Sequence, residues 1–181
     1  MYRKISGMLL AAGMAALLGD LAYAEEFSTR LNGFEEVGGV GSGQTGAILS
    51  NGKGTLSLDA DNTHITYKLT YSGLTDVQQA HIHFGKLHVG GGIMAWLCQS
   101  VAKPSPTPQT TPTCPPTGGT VTGTLTAASV IGPTAQNVNP SDFGAVTDAL
   151  NSNTAYANVH TAKFTGGEIR GQVRRGERDD D

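Results

Sequence analysis

Apolar and polar residues alternate with a period of two over short runs, and turn residues separate the runs. In an extended chain this period puts one set of side chains on each face. Phe27, Thr29 and Leu31 alternate with Ser28, Arg30 and Asn32 and predict a first strand. Residues 45–50 predict a second, followed by the hairpin dipeptide Asn51-Gly52. Residues 54–60 follow, with Leu56 and Leu58 inward, then a turn at Asp61-Asn62. Residues 63–72 carry the clearest pattern: Ile65, Tyr67, Leu69 and Tyr71 oppose His64, Thr66, Lys68 and Thr70. Strands are also predicted over 79–84, 93–98, 118–125, 154–161 and 167–173, and a short turn capped by Thr126 over 127–130. Only one stretch repeats at helical spacing, through Phe143, Val146 and Leu150, with Ser141 or Asn139 as N-cap. The glycine-rich run 37–43 reads as a loop. The fold class expected is all-β: an antiparallel β-sandwich or Greek-key barrel with one short helix near 141–150.

The first 24 residues stand apart. Arg3 and Lys4 precede an apolar run from Ile5 to Leu18, and Ala22-Tyr23-Ala24 forms an A-x-A cleavage site. This is the pattern of a secretory signal peptide, so the mature chain is expected to begin at Glu25 and to be secreted or periplasmic. The apolar run falls short of the roughly 20 residues of a membrane span, and no span is expected after cleavage. The whole chain has a formal charge of −3. The excess of acid weighs against nucleic acid and anionic membrane as partners. An extracytoplasmic protein or matrix partner fits better.

Two cysteines, Cys98 and Cys114, lie in the exported part, where an even count favours a disulfide. Between them runs a proline- and threonine-rich loop, 102–118, unsuited to a sheet interior. The bond is expected to pin its ends. The charged tail 174–181 reads as solvated and frayed.

Chemistry concentrates on the polar faces of three strands. His81 and His83 share one face of the strand 79–84, opposite Ala80, Ile82 and Phe84. In the last two strands Tyr156, Asn158 and His160 oppose Ala155, Ala157 and Val159, and Glu168, Arg170 and Gln172 oppose Ile169, Gly171 and Val173. A symmetric hairpin would set His160 across from Glu168 and Asn158 across from Arg170. Neutral imidazole is a preferred ligand of copper and zinc. The candidate metal ligands are therefore His81, His83 and His160, with Asn158, Glu168 and Arg170 as the groups that orient them. The alternative is a hydrogen-bonded polar network beneath a covering loop. His64 is expected in solvent and His88 on a mobile surface loop, while Trp96 and the tyrosines are expected to pack. The sequence carries no nucleophile elbow, phosphate loop or acid–base carboxylate pair.

These motifs resemble a known family. The runs 31–37, Ala80-His81-Ile82-His83-Phe84-Gly85, Leu97-Cys98, 123–127, Phe143-Gly144, 155–161 and 166–172 are similar to the CHRD domain, a module repeated in the secreted antagonist chordin and found singly in exported microbial proteins. The resemblance covers about 27–173. It implies an extracytoplasmic β-sandwich that acts as a binding or structural module without established catalysis. The proline-threonine insert and charged tail depart from it. A more distant likeness is to copper/zinc superoxide dismutase: His81-Ile82-His83-Phe84-Gly85 resembles that family's His-x-His strand, and His160 its late copper histidine. If the chain is an enzyme, that likeness implies a copper-dependent dismutase-like activity. A bridging histidine and a zinc loop have no clear counterpart.

Overall fold

The computed structural model describes residues 24–37, 46–107 and 109–176. Most of the expected leader, most of the 37–43 loop and the tail beyond Gly176 lie outside the described residues. The strands are β1 (Glu25–Asn32), β2 (Lys53–Ala60), β3 (Ile65–Ser72), β4 (Val77–Phe84), β5 (Gly92–Cys98), β6 (Gly119–Leu125), β7 (Ala155–Thr161), β8 (Ile169–Gln172) and β9 (Arg174–Arg175); the helix is α1 (Phe143–Asn151). They form one antiparallel sheet in the order β5-β4-β7-β8-β1-β2-β3-β6, and β9 also pairs with β1. The sheet curls into a nearly closed barrel. Its edges β5 and β6 approach without pairing, and Tyr67 on β3 crosses the interior to donate its hydroxyl to the Leu97 carbonyl on β5 at 2.7 Å.

The interior follows from the alternation. Leu56, Leu58, Ile65, Tyr67, Leu69 and Tyr71 are buried while their strand neighbours are exposed or partly so. Val146 and Leu150 of α1 join the same core. The disulfide Cys98–Cys114 forms, with Cα atoms 5.0 Å apart. The loop it closes folds on itself: Gln99 donates to the Thr111 carbonyl and accepts from the Ser105 amide, and Ser105 and Thr111 are buried.

Three expectations need correction. Residues 46–50 form no strand, and Thr45 lies outside the described residues. β1 already has β2 on one side and β8 with β9 on the other, so no ladder position is open to them. Ile48 instead donates a single bond to the Gly33 carbonyl at 2.7 Å. The approach needs glycine at 33, since a Cβ there would lie 2.2 Å from the Ile48 oxygen. The helix is capped by Asp142, whose carboxylate accepts from the Ala145 amide, and not by Ser141 or Asn139. Arg174 and Arg175 do not fray: they pair with Ser28 and Phe27, and Arg175 reaches Glu25 at 3.0 Å. The polar face of β4, β7 and β8 is covered, as in the alternative of a network beneath a loop. Every residue of β7 and β8 is buried.

Candidate metal centre

The cover over that outer face comes from three short segments. They are the loop 85–91, a 3-10 turn at Gly33–Glu35 with the following Glu36, and the turn around Thr165. Side chains of the strands fasten the covering backbone. Arg170 donates to the carbonyls of Lys86 (3.1 Å) and Val89 (2.9 Å). Gln172 donates to the carbonyls of Gly85 and Asn153. Tyr156 shares hydrogen bonds with the backbone of Gly91.

Cross-strand register brings the histidines together beneath this cover. Asn158 lies opposite His81 on one side and Arg170 on the other; Tyr156 lies opposite His83; His160 lies opposite Gln79, one diagonal step from His81. The β4–β5 pairing is irregular between Ala80 and His81 and again between Ile82 and His83. Each irregularity adds one residue to β5, and such bulges bend a strand locally. They also end the alternation in β5, where Met94 and Ala95, then Leu97 and Cys98, are buried in adjacent pairs.

His81, His83 and His160 are 1%, 7% and 6% exposed, and one ligand nitrogen from each lies within 4.8 Å of the others. Burial disfavours the imidazolium form. It holds the His83 pKa down at about 4 and that of His160 at about 3, and pushes His81 well below the usual value. All three rings are therefore neutral at neutral pH, the state in which imidazole binds metal.

The hydrogen bonds then decide where the protons sit. His83 Nδ1 faces the Gly91 carbonyl at 2.9 Å and His160 Nδ1 faces the Thr165 carbonyl at 3.0 Å. A carbonyl only accepts, so both Nδ1 atoms carry their ring's single proton. Both Nε2 atoms consequently present lone pairs. They point at one atom, Asn158 Oδ1, at 3.0 Å from His83 and 2.9 Å from His160. His81 Nδ1 approaches His160 Nε2 at 3.0 Å, and His81 Nε2 is buried without a hydrogen-bond partner. Four electron-rich atoms thus converge with at most one proton among them, which is the arrangement a cation completes.

Aromatic groups fix the rings. Tyr156 stacks on His83, with centroids 4.7 Å apart and planes 7° from parallel. The Arg170 guanidinium carbon lies 3.4 Å from the Tyr156 centroid, and the two partners are too large to share one face of the tyrosine. The guanidinium is therefore separated from His83 by the tyrosine ring. Trp96 meets His81 edge to face at 4.4 Å. A cleft of about 880 Å³, lined by His83, His160, Asn158, Tyr156 and Glu36, opens beside the cluster.

The other nominated residues are placed differently. Asn158 reaches two imidazoles directly. Arg170 acts on the loop and on Tyr156 rather than on a histidine. The Glu168 carboxylate turns away from His160 and accepts the hydroxyls of Ser50 (2.6 Å) and Thr161 (2.7 Å). His64 is exposed beside Thr63 and Asp61, and His88 pairs with Glu35 at 3.1 Å on the rim of the cleft. Sequence reasoning missed Glu36, the tautomer-setting carbonyls of Gly91 and Thr165, and the roles of Tyr156 and Trp96. Tyr156 alone left a signal, through its alternation with Asn158 and His160.

The fold and the cluster together define a curled antiparallel β-domain with a buried histidine site at one face. The CHRD domain family model matches residues 27–173, and the chain belongs to that family. No curated protein and no solved structure was found similar to it, and neither comparison supports the likeness to superoxide dismutase. No helix among the described residues is long and apolar enough to cross a membrane.

Proposed function

We propose that this chain is an exported binding module that holds one copper or zinc ion through His81, His83 and His160. The observation that carries the reading is the commitment of the His83 and His160 Nδ1 protons to backbone carbonyls, which leaves their Nε2 lone pairs converging in a buried space. Imidazole donors suit copper and zinc among the divalent ions. Membership of the CHRD family supports a binding or structural module, and a metal site is a specific form of binding. The Cys98–Cys114 disulfide and the leader-like pattern before Glu25 support an oxidising, extracytoplasmic location.

The test is calorimetric titration of the metal-stripped mature protein with Cu(II) and Zn(II), beside a His81→Ala/His83→Ala variant. One-to-one binding that the variant loses is expected. Equal binding by both, or none by either, would sink the reading. If copper binds, it would supply a one-electron couple beside an open cleft, and superoxide consumption by the copper-loaded protein becomes the activity to assay. Export is tested separately: the protein recovered from the extracytoplasmic fraction should begin at Glu25.

A further inference from the structure

Resting on that reading, we propose that Asn158 Oδ1 is the fourth ligand, so that the ion is held by three imidazole nitrogens and one amide oxygen. The shortest distances run in a chain: His81 Nδ1 to His160 Nε2 is 3.0 Å, His160 Nε2 to Asn158 Oδ1 is 2.9 Å, and Asn158 Oδ1 to His83 Nε2 is 3.0 Å. At a tetrahedral ion with bonds of about 2.0–2.1 Å, neighbouring donors lie about 3.3 Å apart. These three separations are a few tenths of an ångström shorter, and the three imidazole donors all lie within 4.8 Å of one another. The amide oxygen also sits between the two imidazoles whose lone pairs are assigned. An ion drawn to both meets that oxygen as well.

The amide's orientation supports this role. Gly167 has a φ of +123°, and a Cβ built there would lie 2.4 Å from Glu36 Oε2 and 2.9 Å from Asn158 Nδ2. The amide nitrogen thus faces the Glu36 side and the oxygen faces the imidazoles. Turning the amide over would set Oδ1 toward the Glu36 side and bring its N–H groups to the two Nε2 lone pairs, the donor role that the test below separates from ligation. The absence of a side chain at Gly167 leaves room for the amide nitrogen on that side, with the oxygen toward the imidazoles. Three nitrogen donors and one neutral oxygen keep the class of ion at copper(II) or zinc(II).

The competing role for Asn158 is that of a hydrogen-bond donor to the two Nε2 atoms, and aspartate separates the two. An Asp carboxylate supplies lone pairs but no N–H. We expect Asn158→Ala to weaken Cu(II) and Zn(II) binding by about 10–100-fold, the size of effect usual around metal ligands. We expect Asn158→Asp to restore affinity to within about tenfold of the wild type or to exceed it. Both variants are checked for fold by circular dichroism. Wild-type affinity in Asn158→Ala, or no rescue in a folded Asn158→Asp, overturns the assignment. Should the substitutions unfold the protein, hyperfine coupling from Cu(II) to the ¹³C carboxamide carbon in wild-type protein labelled at asparagine gives the answer directly, and its absence overturns it. If wild-type protein binds no metal, the three-histidine reading falls too. If metal is lost in the His81/His83 variant but both Asn158 variants match wild type, only the fourth ligand is wrong.

Discussion

Acid should unfold the metal-stripped protein in a pH window where few other groups titrate. A histidine buried as neutral imidazole binds its proton less readily when folded than when unfolded. Below the unfolded pKa of 6.5, the unfolded chain takes up protons that the folded chain refuses, so stability falls as pH falls. The contribution is fully present above about 6.5 and is lost progressively until pH passes the folded values, about 4 for His83 and about 3 for His160. Between neutral pH and pH 5 each imidazole loses about 1.5 units of this linkage, or about 2 kcal/mol at 1.36 kcal/mol per unit. The two together reach about 4 kcal/mol as an upper bound, because the sites are coupled, and His81 acts in the same direction. At about 2–4 °C per kcal/mol for a domain of this size, the melting temperature should drop on the order of 10 °C.

The assay is a thermal melt by circular dichroism at half-unit steps from pH 7.5 to 5, with chelator present and ionic strength fixed. A His83→Gln/His160→Gln variant serves as the reference. Its melting temperature is lower at pH 7 but should change much less with pH. A wild-type curve flat to within about 2 °C over this range would refute the reasoning. So would a drop of equal size in the reference variant, because the linkage would then lie elsewhere.

Saturating Cu(II) or Zn(II) should raise the pH 7 melting temperature: an ion at 100 times its Kd adds about 2.7 kcal/mol to the folded state, and an unchanged melt would contradict a native site. Arg170→Met should leave the barrel folded but speed amide exchange of residues 86–91 at least tenfold, as the guanidinium bonds to the Lys86 and Val89 carbonyls are lost; unchanged exchange would show that the loop needs no such tether. Reducing Cys98–Cys114, which spans a sequence separation of 16, should cost about 3 kcal/mol in denaturant unfolding. Gly171→Ala should destabilise by about 1–3 kcal/mol, because the new Cβ would sit 2.2 Å from the Arg30 carbonyl oxygen; a neutral result would mean that β1 and β8 can part locally.

How much of this was visible in the sequence depends on the period of each segment. β2 and β3 have one wet face and one dry face, so their alternation marks both the strand and its inner residues. In β5 two bulges bury adjacent residues and erase the pattern. Residues 46–50 are apolar enough to read as a strand, but the neighbouring β1 has both of its sides occupied, a matter of topology that no local pattern records. The site divides in the same way. His81, His83, Asn158 and His160 could be placed on one side of their strands by alternation. The proton positions could not, since they depend on the carbonyls of Gly91 and Thr165 and on the reach of Arg170 to Lys86, 84 positions away.

The burial of this polar face gives the site its character. Three imidazoles on an exposed face would titrate near 6.5, exchange tautomers and meet water. Covered by the 85–91 loop, they stay neutral, and two of their Nδ1–H groups are held by backbone. Burying such acceptors without donors costs about 1–3 kcal/mol each. A fold that served only as a scaffold could avoid this cost with apolar residues at 81, 83 and 160, as it does on the opposite face with Ala80, Ile82, Ala157 and Val159. A cation turns the same lone pairs from a liability into ligands. The cost in the metal-free protein and the affinity of the site therefore share one cause: the carbonyls of Gly91 and Thr165 hold two of the three imidazole protons, leaving only that of His81 for the cluster.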